Sequence, residues 1–161
     1  MTYTLKLNHF LSEGELAALR SDHLPSLLVL NGRYTETIDA INEFPITPLY
    51  VDCLRTSWLL DKQSNRPPAE VLVEGLGFAF GQLLVACTDL RWAIATDGDG
   101  DFVTMARTGE DPKLVSVPPF SYVSKRLDVQ NAEVFLHFFE QTSMELIGFH
   151  RPKNWLRNGD A

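Results

Sequence analysis

The sequence predicts an α+β fold in which an antiparallel three-stranded meander packs against several helices. Residues 69–87 repeat apolar side chains at helical spacing, and from Leu76 to Cys87 the stretch is apolar almost all round, the pattern of a buried helix. Beyond Asp89 the period drops to two: "RWAIAT" and "FVTMAR" alternate, as does the shorter "KLVSV". The segments between them are rich in Asp, Gly and Pro, which set turns.

In chain order, "TYTLKLN" alternates Tyr3, Leu5 and Leu7 against Thr4 and Lys6 and predicts a short strand. "LSEGEL" is a helix start. Ser12 caps, Glu15 reciprocates three residues later, and Leu11 can staple to Leu16. "HLPSLLVLNGRY" fits helix and strand equally. A second helix is expected from Thr35 to Phe44, ending before Pro45. Thr47 and Pro48 then open an amphipathic helix whose apolar positions are Leu49, Tyr50, Cys53, Leu54 and Trp58.

"SNRPP" breaks the chain, and the long helix begins at Ala69. Inside it Gly77 and Gly81 lie four apart, on one face with Glu70 and Glu74. Glycine costs about 1 kcal/mol against alanine in a helix, so two of them imply that another element packs close to this backbone. After the meander, Arg91 to Val117, "PFSYVSKRL" reads as a short helix and Asn131 to Ile147 as a longer one closed by Gly148. In the tail Trp155 is expected to pin the chain to the body.

The run "ATDGDGDFVT" holds Asp97, Asp99 and Asp101 between glycines. A calcium loop needs oxygen ligands at positions 1, 3 and 5, Gly at 6 and Glu at 12. Counting from Asp97 puts Phe102 at 6 and Thr108 at 12; counting from Asp99 puts Val103 at 5 and Thr104 at 6. Both registers fail, and the flanks are strand-like. A solvent-exposed hairpin turn fits better, because Asp and Gly bond locally and tolerate turn conformations. With Glu110 and Asp111 in the next turn, against Arg107 alone, these five acidic residues are the candidate partner-binding site.

Catalytic and cofactor patterns are not apparent in the sequence. "GLGFAFG" lies within a helix rather than between strand and helix, so it is no phosphate loop. The two cysteines, Cys53 and Cys87, lack metal-ligand spacing and read as buried free thiols. His137 has Glu133 and Glu140 on its helical face but no matching Glu-x-x-His partner helix. Cys53 could pair with His9, His23, His137 or His150 only if the fold brought them together. Lys125 and Arg126 stand where an anion could bind, and equally where a helix C-terminus favours cations. No catalytic residue, metal ligand or cofactor is therefore expected, and an enzyme built on Cys53 or the aspartates ranks last.

The net charge of −7, spread over both halves, argues against nucleic acid as partner and suits a basic protein. The longest uncharged run, Gly75 to Thr88, is too short to span a bilayer, and no basic-then-apolar opening marks a secretory signal. A cytoplasmic protein without membrane association is the expectation.

From the long helix to the second short helix the chain resembles a bacterial domain-of-unknown-function family, number thirty-eight-oh-six. The resemblance rests on an ordered set over about residues 66–140: Gly77 and Gly81 in a helix, Trp92 on a strand, the turn Asp97-Gly98, Pro118, and the pair Lys125-Arg126. It implies a compact α+β domain and no known reaction. The whole chain, 1–161, is then one domain. Residues 1–65 make its N-terminal helical region, residues 66–140 the family-like α+β region, and residues 141–161 a C-terminal helix end and tail.

Small acidic bacterial domains without catalytic groups resemble immunity proteins, which bind and neutralise a toxin of the same cell, including effectors of type VI secretion. The leading expectation is thus a non-enzymatic protein-binding module whose partner is a cognate toxin or effector; a homodimer is compatible with it. The alternative is a small-molecule-binding or sensory domain.

Overall fold

The computed structural model describes residues 5–35, 47–107, 115–141 and 147–150. In chain order these form β1 (Lys6–Phe10), α1 (Glu13–Tyr34), α2 (Pro48–Leu60), α3 (Ala69–Cys87), β2 (Arg91–Asp97), β3 (Gly100–Arg107), β4 (Val115–Val117), α4 (Pro119–Ser124) and α5 (Val134–Gln141). The class is α+β. The helix expected from Thr35 to Phe44, all but its first residue, lies outside the described residues, as does Trp155.

The expected meander is present, but among the described residues the sheet has four strands rather than three. Its order is β1-β2-β3-β4, antiparallel throughout. The extra member is the N-terminal strand, which adds to the free edge of β2 with Lys6 opposite Thr96 and Phe10 opposite Ala93. An open edge of unpaired N–H and C=O groups favours such addition. The register slips between Leu7 and His9, so the strict alternation expected at the N-terminus is broken there.

Helix α1 resolves the ambiguous stretch: it runs unbroken through Pro25. An interior proline costs about 3 kcal/mol by local rules. Tertiary packing overrides that, because Leu27 and Leu30 beyond the proline are fully buried and press on α3 at Gly75. The expected capping box is formed, with Glu15 N–H donating to Ser12 Oγ (3.2 Å) and Ser12 N–H to Glu15 Oε1 (3.1 Å). Thr47 caps α2 through Tyr50 N–H at 3.1 Å. The ends of α1 and α2 are tied together: Arg33 Nε (2.8 Å) and the Tyr34 hydroxyl (2.7 Å) both donate to Asp61. Those bonds hold the Asp61 carboxyl well below the usual carboxylate range.

Helix α3 is the centre of the molecule. It packs on α1, α2, α4 and the sheet, and one hydrophobic cluster runs from Leu11 to Ile147 around it. With Glu70 and Glu74 included it is long and apolar enough to cross a membrane, yet 61% of its most apolar window is buried inside the fold. Close packing at its glycines is direct: the Trp92 ring lies on Gly81 and the Phe120 ring on Gly77.

Helix α5 starts at Val134, three residues later than expected, because the Asn131 side chain turns the chain by accepting from Glu133 N–H at 3.0 Å. Residues 142–146 lie outside the described ones; Gly148 has φ 62°, the left-handed conformation of a helix end. His150 N–H bonds Cys87 O at 2.7 Å, fastening this end to α3.

Candidate functional site

The aspartate run forms the β2–β3 hairpin turn, with Asp97 paired to Gly100 and Gly98-Asp99 at the tip. Gly100 carries the positive φ, 119°, that closes it. The three carboxylates divide their work. Asp97 accepts from Asp99 N–H at 2.8 Å and so sets the turn. Asp101 accepts from Thr96 Oγ at 2.5 Å and from Asn8 Nδ2 at 3.4 Å, which ties the hairpin to β1. Asp99 is exposed, and its carboxylate makes no hydrogen bond among the described residues. Glu110 and Asp111 lie outside the described residues.

A cation does neighbour the turn, one the linear sequence could not place. Lys125, from the end of α4, lines the same shallow hollow of about 390 Å³ as Asp97, Asp99 and Asp101. Arg107, the first cation after the run in sequence, sits at the far end of β3 and approaches Asp89 at 3.6 Å. The Lys125-Arg126 pair therefore diverges: Arg126 stacks on the Tyr122 ring (3.6 Å) and donates to Tyr122 O at 3.1 Å.

Helix α2 corrects the sequence expectation most. Its buried face is Val51, Asp52, Leu54, Arg55 and Trp58, while Cys53 is exposed. The helix is turned so that two charged residues enter the interior, because they satisfy backbone groups there. Asp52 caps α5 from outside it, accepting from Phe135 N–H (2.8 Å) and Leu136 N–H (2.9 Å). Arg55 Nη1 donates to the carbonyls of Arg126, Leu127 and Val129, and Nη2 to that of Asn131. Burial pushes the Asp52 carboxyl up to about 6, against the pull of its two N–H donors and of Arg55.

The remaining reactive groups are dispersed. Cys87 is buried, and burial pushes its thiol up to about 12, which keeps it a packing thiol. No histidine hydrogen-bonds Cys53 among the described residues: His9 pairs with Glu15 (3.0 Å), His23 packs on Phe120 (4.6 Å between centroids), and His137 is exposed on α5. Among the described residues no three His, Cys, Asp or Glu side chains are grouped to hold a metal.

One feature escaped the sequence altogether. Between α1, α3 and the start of β2 lies a half-open apolar groove of about 440 Å³, floored by Phe78 and Trp92 and edged by Leu16, Arg20, Gln82 and Arg91. Leu11 and Leu16, the expected staple, both line it. Its residues are spread from position 11 to position 92, so no local pattern announces it.

Comparison with family models, with curated proteins and with solved structures finds no match for the chain.

Proposed function

We propose that the chain is a non-enzymatic protein-binding module, and that its partner is a toxin or effector which it neutralises, the role of an immunity protein. The β2–β3 turn is the observation that carries this reading. Asp97 and Asp101 are committed to internal hydrogen bonds, so the loop is preformed, and Asp99 is presented at its tip with its carboxylate open to solvent. A preformed loop loses little conformational freedom on binding. Its charge, within a chain of net charge −7, favours encounter with a basic surface.

The test is association with the product of the adjacent gene, followed at low and at moderate salt. Asp99→Lys should slow association severalfold at low salt, with a smaller effect once salt screens the turn. Equal rates at both salts would remove the turn from the interface, and absence of any complex would remove the reading.

A further inference from the structure

We propose that the groove between α1, α3 and β2 binds a small amphipathic anion, a molecule with an aliphatic body and a terminal carboxylate. This goes beyond the protein-binding reading and concerns a different surface. Arg91 and Asp97 stand at opposite ends of β2, about 20 Å apart at the rise of an extended strand.

The apolar half of the site is built from two aromatic rings and an open edge. Phe78 and Trp92 are 3% and 4% exposed, stack at 6.4 Å with 13° between their planes, and form the floor. Leu16, 38% exposed, stands at the rim, where an aliphatic ligand would cover it. A volume of about 440 Å³ falls within the range of small-molecule pockets, roughly 300–1,000 Å³.

The polar half determines the sign of the ligand. Arg20 comes from α1 and Arg91 from β2, and both line the groove. Neither has a carboxylate within 4.0 Å among the described residues, whereas Arg33 and Arg107 each meet one. The Arg91 guanidinium lies 4.3 Å from the centroid of Phe10, a stacking that orients its fork. Gln82 accepts from Trp92 Nε1 at 3.0 Å, which fixes its amide and leaves its NH₂ as a further donor. Among the described residues no acidic side chain lines the groove, in a chain with an excess of acidic residues. Donors without competing acceptors select an anion, and a guanidinium fork matches a carboxylate in two parallel hydrogen bonds. The apolar lining separates such a ligand from a bare phosphate, which would leave the exposed Leu16 and Val85 uncovered.

Isothermal titration of the full chain with decanoate, decanol and decyltrimethylammonium tests this. Decanoate should bind saturably at one site, at least about tenfold more tightly than the other two, the effect of one charge-assisted contact. Arg20→Gln combined with Arg91→Gln, both at exposed positions, should weaken decanoate by about tenfold or more and leave decanol unchanged. Leu16→Trp, which fills the rim, should weaken decanoate and decanol alike. Absence of saturable decanoate binding, equal affinity for the three chain molecules, or an unaltered affinity in the double arginine variant would each overturn the proposal. None of these outcomes bears on the β2–β3 turn, so failure here leaves the protein-binding reading to its own test.

Discussion

The indole of Trp92 on β2 lies against the backbone of Gly81 on α3, so closely that a Cβ at position 81 would overlap Cζ2 and Cη2 of the ring. Phe120 stands in the same relation to Gly77 one turn earlier. These two contacts seat the sheet and α4 on the central helix, and Trp92 is held in place by its hydrogen bond to Gln82.

Gly81→Leu should therefore destabilise the fold by about 2–3 kcal/mol, the upper range for overpacking. Gly32→Ala is the contrasting case: α1 is open there, with nothing within 4 Å of the added methyl, so the change should stabilise by about 0.5–1 kcal/mol. Urea denaturation of both variants checks the pair. A Gly81→Leu protein as stable as the wild type would mean that the Trp92 contact is not close.

Arg55 should be more costly to remove than its place on an amphipathic helix suggests. Its truncation leaves the carbonyls of Arg126, Leu127, Val129 and Asn131 without the donor that the buried guanidinium supplies. Arg55→Leu is expected to destabilise by about 3 kcal/mol or more. Arg55→Lys should recover only a fraction of this, since an ammonium group has no planar fork. Thermal melting of the two variants reports the order.

Stability should depend on pH through Asp52. Its carboxyl is raised from 3.8 to about 6 by burial. A raised folded-state value means that the folded protein binds this proton more tightly than the unfolded chain does. The associated stability is present below about 3.8 and is lost as pH rises through about 6. Wild type should thus gain on Asp52→Asn as pH falls from 7 to 4, measured as a difference of unfolding free energies so that other carboxylates cancel. A difference independent of pH would show that Asp52 titrates as an exposed carboxylate.

The aspartates of the turn should not be equivalent. Asp99→Lys is expected to leave unfolding within about 0.5 kcal/mol of wild type, as for a surface change away from any cap or network. Asp101→Lys removes the acceptor for Thr96 and Asn8 and should cost about 1 kcal/mol. It should also speed hydrogen exchange in β1, which that bond anchors to the hairpin. Equal stabilities would mean that Asp101 is as free as Asp99.

Local chemistry was legible in the sequence wherever a short stretch decides the outcome by itself. The Ser12–Glu15 capping box, the Thr47-Pro48 helix start, the aspartate turn and the change of period at Asp89 each formed as expected, because neighbours a few residues apart satisfy one another's backbone groups or repeat at a fixed spacing. The glycine pair on α3 announced close packing without saying what packs; that Trp92 and Phe120 fill the two places follows from the crossing of the sheet and α4 over the helix.

Tertiary structure decided the rest. The N-terminal strand's place at the edge of β2, the unbroken passage of α1 through Pro25, and the turning of α2 that buries Asp52 and Arg55 while exposing Cys53 all depend on residues far away in the chain. Hydrophobic periodicity assumes that charged side chains face water. On α2 that assumption fails, because the N–H groups of Phe135 and Leu136 and four carbonyls from Arg126 to Asn131 converge on this face of the helix, and a carboxylate and a guanidinium one turn apart pair with them. The groove arises the same way: Leu16, Phe78 and Trp92 were each visible as apolar residues, but only the packing of α1 and β2 on α3 brings them, with Arg20 and Arg91, around one space.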